Sequence, residues 1–154
     1  MPSASSSPCI GAMVSLAGVA LILLGFFLPM FTQSNPQVPG SAHPVYDWQA
    51  ATVVSGFPVV FVLFGFLAAL PVISMLIILA TSIAALFHVS LPRFVLLKRG
   101  IAGWGLAIQF LFDIIVFQIF GIGYNRIDIA LGFVIVLIGF IVMFVGTLLD
   151  TQRL

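Results

Sequence analysis

Apolar residues run almost unbroken from about Ile10 to Phe31, from Phe57 to Phe87, from Ile101 to Phe120 and from Ile129 to Leu149. Crossing the hydrocarbon core of a bilayer takes about 20 apolar residues at a rise of about 1.5 Å each. All four runs meet that length. They predict an all-α integral membrane fold, an antiparallel four-helix transmembrane bundle forming a single domain over 1–154. The second run stands apart. As a straight helix it would be ~46 Å long, against a core of ~30 Å. Pro71 falls inside it, where a proline removes one backbone bond and bends a helix. One long helix, starting near Pro58 and kinked near Pro71, is expected. A re-entrant or interfacial piece ahead of Pro71, with the span after it, is the alternative; a five-span reading ranks last.

Orientation follows the basic residues. With the N-terminus inside, Arg93, Lys98, Arg99 and Arg153 fall on the cytoplasmic side and Arg126 on the outer side. Lysine and arginine accumulate in cytoplasmic loops, so the bias reads N-in and C-in. The opening MPSASSSPC has no basic region, and the apolar run behind it exceeds the core of a signal peptide. The first helix is therefore expected to stay as an anchor. Cys9 reads as a free thiol near the cytoplasmic face, since Ser6, Ser7 and Pro8 do not make a lipoprotein signal.

The outer loop, 32–56, holds Pro36, Pro39, Gly40 and Pro44, and its Pro/Gly-rich part is expected to be irregular. Tyr46 and Trp48 have the amphipathic character of an interfacial belt, and Tyr46 to Val54 suits a short surface helix. The inner loop, 88–100, mixes Leu91, Phe94, Val95, Leu96 and Leu97 with Arg93, Lys98 and Arg99. Its basic residues are expected to face anionic lipid headgroups.

Composition narrows the class. The chain is 62% hydrophobic and 6% charged, with mean hydropathy +1.33. Soluble domains carry about 25% charged residues, which excludes a water-soluble enzyme. Five basic against four acidic residues leave no stripe for nucleic acid. One cysteine makes no internal disulfide.

Gly11, Gly18 and Gly25 recur every seventh residue in the first run, and Gly132, Gly139 and Gly146 do so in the fourth. Ser15 shares the first stripe. Glycine on a heptad stripe lets membrane helices approach closely. The two seams are expected to pack against each other, antiparallel, with Gly18 and Gly139 near mid-membrane. A seam turned outward to dock another subunit is the competing reading.

Asp113 is the acidic residue deep inside a span, where a charge costs at least about 2.5 kcal/mol. It is expected to face the bundle. Gln109, Gly105 and Ala102 continue its stripe, and Ser74 is expected at similar depth. As a desolvated carboxyl it is a candidate proton carrier. As a hydrogen-bonded carboxyl it joins helices. A relay normally needs further buried titrating groups, and the sequence offers none at that depth, so the joining role is preferred.

Other chemistry is thin. His43 and His88 fall on opposite sides, which excludes a bis-histidyl haem, and no metal site is expected. No thiol pair, catalytic triad or paired aspartates share one level. Asp128 is expected beside Arg126 or at the start of the fourth helix, and Asp150 with Arg153 at its inner exit. The aromatic rows Phe57, Phe61, Phe64, Phe66 and Phe133, Phe140, Phe144 read as lipid or helix packing. The halves show no internal duplication.

The expected function is a non-catalytic accessory subunit of a larger membrane complex, without a cofactor of its own, partnered by other membrane subunits and lipids. Packing among such subunits would order both polar tails. A bacterial respiratory or photosynthetic electron-transfer assembly in the inner membrane is the expected host, on class frequency alone. A small oligomeric proton-coupled carrier or channel using Asp113 is the alternative. A lipid- or quinone-directed enzyme using Asp47 and His43 ranks third.

Overall fold

The computed structural model describes residues 10–35, 37–46, 58–87, 94–121 and 126–151. Over these residues the chain is mostly helical. The elements are α1 Ile10–Phe26, β1 Phe31–Ser34, β2 His43–Val45, α2 Pro58–Leu86, α3 Phe94–Gly121, β3 Arg126–Ile129 and α4 Leu131–Thr151. The segments Leu67–Leu86 and Leu131–Asp150 are long and apolar enough to cross a membrane. Helix α1 is apolar over its 17 described residues.

Helix α1 ends five residues before the expected Phe31. Its last turn closes by short-range bonds, Phe27 N–H to Leu24 O at 3.2 Å and Leu28 N–H to Gly25 O at 3.0 Å. Pro29 then has no N–H with which to continue. Helix α2 runs through Pro71 as one 29-residue element, which is the long-helix reading of the second run. Helix α3 starts at Phe94, so the inner loop of 88–100 is shortened by seven residues. The fourth run gives up Ile129 to a strand and starts its helix at Leu131.

The all-α expectation is corrected by a three-stranded antiparallel sheet in the order β2-β1-β3. Strand β1 is central. Phe31 lies opposite Val45 and Ile129, and Thr32 opposite Pro44 and Asp128. Strands of three or four residues carry too little alternation to be read as a period of two. Proline is tolerated here because β2 is an edge strand. Pro39 and Gly40 lie in the turn between β1 and β2, where Gly40 has φ +81°, a backbone conformation that suits glycine; Pro44, expected in irregular structure, lies in β2 instead. Met30 N–H donates to Val45 O at 2.8 Å, and Ala130 N–H to Met30 O at 3.0 Å.

The sheet extends the helix packing. Strand β1 follows α1 and pairs with β3, which leads into α4, so two arms run side by side through helix and strand. Helices α1 and α4 make the most extensive interface; α2 packs on α3, α3 on α4 and α1 on α2. Val19, Ile22, Ile78, Ala102, Phe112, Val136, Phe140 and Met143 fill the space between them. The ring of Phe31 meets that of Phe133 at 5.7 Å between centroids, tying the sheet to that core.

Candidate functional site

Three polar or close-packed places stand out, and each is built by helix periodicity.

The first is the glycine seam. Gly11, Gly18 and Gly25 are buried on α1, and Gly132, Gly139 and Gly146 on α4. Added Cβ atoms show what each one faces. At Gly18 it would lie 2.7 Å from Gly139 O, and at Gly139 2.8 Å from Ile22 N. At Gly146 it would lie 2.7 Å from Gly11 O, and at Gly25 3.0 Å from Val136 N. These neighbours are backbone atoms, so the two helices touch along main chain and run in opposite directions. Ser15 Oγ donates across the seam to Met143 O at 3.4 Å. Gly132 faces the carbonyl oxygens of Leu28 and Pro29, past the end of α1. The stripes face each other within the chain rather than outward.

The second place joins the helix ends on the other side. Lys98 Nζ donates to Asp150 Oδ2 at 2.8 Å, with side chains 6% and 15% exposed. This corrects the reading of Lys98 as a headgroup residue. Starting α3 at Phe94 turns Lys98 inward toward the last turn of α4. Gly11 is part of the same junction, since a Cβ there would strike the Asp150 carboxyl. The signal was present in sequence: Gly11 begins one heptad series, and Asp150 stands one turn beyond the end of the other. Arg99, the next residue, is exposed.

The third place is the inward face of α3. Ala102, Gly105, Gln109 and Asp113 are all buried, Gln109 at 2% and Asp113 at 1% exposure. Gln109 Nε2 donates to Asp113 Oδ1 at 2.9 Å, one turn apart on the same helix. Ser74 sits against Gly105 rather than at the depth of Asp113. It is two turns away, about 12 Å along the axis, and its Oγ donates to Pro71 O at 3.0 Å. Lys98 lies opposite Asp150, and Gly105 opposite Phe140. The same antiparallel register carries Asp113 level with the first turns of α4, beneath the sheet. Ser82 is fully buried, and its Oγ has no hydrogen-bond partner among the described residues.

The remaining candidates scatter. His43 is exposed on β2, opposite Gln33. Asp128 is exposed on β3, and Tyr46 is half-buried after β2. Arg93, Trp48, Asp47, His88, Cys9, Arg153, both chain termini and the side chains of Phe57, Phe61, Phe64, Phe66, Gln118 and Arg126 lie outside the described residues. Among the described residues no three His, Cys, Asp or Glu side chains gather as a metal site. Sequence reasoning also missed an open groove beside α3, lined by Arg99, Gly100, Gly103, Trp104, Ala107 and Phe144.

The described residues thus define a mostly helical protein with four helices among them, two of these long and apolar enough to cross a membrane. Comparison with known proteins finds no matching family model, curated protein or solved structure.

Proposed function

We propose that the chain is a non-catalytic packing subunit of a larger membrane complex, inserted as an antiparallel four-helix bundle with both termini on the cytoplasmic side. The observation that carries this reading is the polarity of α3. It buries Lys98, Gln109 and Asp113 and exposes Trp104, Phe110, Leu111 and Ile114. In water that arrangement is inverted; in lipid it is the favourable one. The buried groups bond to protein atoms, Lys98 to Asp150 and Gln109 to Asp113. The glycine seam brings α1 and α4 together along main chain. These features support a part that fills and joins rather than one that turns over a substrate. Respiratory or photosynthetic electron-transfer assemblies of bacterial inner membranes are the proposed hosts.

Burial of Asp113 favours a second reading, a small oligomeric proton-coupled carrier. The two separate in reconstituted liposomes. A packing subunit gives no proton flux above empty vesicles, and Asp113→Asn changes nothing. Flux that Asp113→Asn abolishes overturns the packing role. The same tagged chain, drawn from its own membranes, should bring down other subunits in fixed ratio.

A further inference from the structure

Lys98 is neutralised by Asp150, but its neighbour Arg99 is exposed and forms no ion pair among the described residues. Arg99 stands at one end of the groove between α3 and α4, a space of about 530 Å³. The groove has a sequence cause. Gly100, Gly103 and Ala107 follow one another at three- and four-residue spacing, so they share a helix face and withhold side-chain bulk from it. A Cβ at Gly100 would meet nothing within 4 Å, and one at Gly103 would meet the Phe144 ring at 3.3 Å. Phe144 is therefore one wall. Trp104, 72% exposed, is the other. Among the described residues the lining carries the Arg99 charge and no carboxylate.

We propose that this groove binds an anionic phospholipid. The phosphate sits at the Arg99 guanidinium, and an acyl chain lies along Gly100, Gly103 and Ala107 between Trp104 and Phe144. A guanidinium forks onto phosphate oxygens with two parallel bonds, and basic pockets beside membrane helices on the cytoplasmic side select acidic headgroups. The size falls within the roughly 300–1,000 Å³ of small-molecule sites. Charge complementarity at the mouth picks an acidic headgroup over a zwitterionic one. The inference rests on the chain being embedded in a membrane.

The test is native mass spectrometry of the full chain from mixed micelles of phosphatidylglycerol and phosphatidylcholine with identical acyl chains. The expected result is retention of phosphatidylglycerol by about fivefold over phosphatidylcholine, the factor one basic residue near an anionic surface supports. Arg99→Gln should bring that ratio close to one. Gly100→Leu, which fills open space and favours helix, should lower retention of both lipids. Equal retention by the wild type, or unchanged retention in both variants, overturns the assignment. So does a disulfide-linked dimer of Ala107→Cys in a Cys9→Ser background, which would put a second copy in the groove. Alkaline carbonate washing of membranes scores insertion separately. Release of the chain overturns the membrane reading itself, whereas a chain that stays without lipid preference overturns only the groove.

Discussion

Lys98 Nζ and Asp150 Oδ2 lie 2.8 Å apart, and their contact closes the helix ends opposite the sheet. Lys98 belongs to the first turns of α3 and Asp150 to the last turn of α4, so one ion pair fixes the axial register of two helices. Gly11 makes it a three-helix junction, because only a residue without a side chain leaves the carboxyl its place beside α1.

Removing one partner of this pair strands a charge in a buried site. Lys98→Met or Asp150→Leu alone should lower stability by about 3 kcal/mol, while the double variant regains most of the loss. Unfolding of the detergent-solubilised protein followed by circular dichroism measures both. Additive losses in the double variant would show that the two side chains are not coupled.

The glycine seam tolerates no bulk. Gly139→Leu must push Ile22 and Gly18 main chain apart, which should cost about 3 kcal/mol or more, beyond the usual range for overpacking against movable side chains. Gly100→Ala is the matched control, since its Cβ meets nothing within 4 Å. It should stabilise by up to about 1 kcal/mol through helix propensity. Normal stability of Gly139→Leu would contradict the close approach of α1 and α4.

Gly105 and Ser74 should behave as a pair. A Cβ at Gly105 would lie 2.8 Å from Ser74 Cβ, so Gly105→Ala is expected to destabilise by about 1–3 kcal/mol. Ser74→Gly in the same chain should relieve most of that. A thermal-melt double-mutant cycle reads the coupling, and no rescue would place α2 elsewhere.

Asp113 and Gln109 separate shape from charge. Asp113→Asn keeps an oxygen for the Gln109 amide and should change stability by less than about 1.5 kcal/mol. Asp113→Leu leaves that buried amide without its acceptor and should cost about 1–3 kcal/mol. Ser82→Ala, which deletes a buried hydroxyl with no partner among the described residues, should be neutral or stabilising within about 1 kcal/mol. Chemical denaturation of the three variants ranks them, and a larger loss for Asp113→Asn than for Asp113→Leu would reverse the reasoning.

Much of the helical framework was legible because burial in one chain and hydropathy along it share a cause. Long apolar runs without charges read as helices. The two heptad glycine series named the residues that meet between α1 and α4, since only small residues at that period permit main-chain contact. The sheet was not legible. Phe31–Ser34, His43–Val45 and Arg126–Ile129 are too short to show a period, and their pairing depends on partners far apart in sequence. Lys98 was misplaced for a related reason. Its chemistry said surface, and only the earlier start of α3 brings it round to Asp150. Depth along a helix was also poorly legible: Ser74 and Asp113 were expected level, yet the register of Gly105 against Ser74 separates them by two turns.

The packing role is tested by gentle detergent extraction from native membranes, native-gel separation and mass spectrometry of the co-migrating proteins. A packing subunit should run in a particle well above the 16.5 kDa of one chain, holding other membrane subunits in fixed ratio. A particle containing this chain alone, as monomer or homo-oligomer, would contradict it.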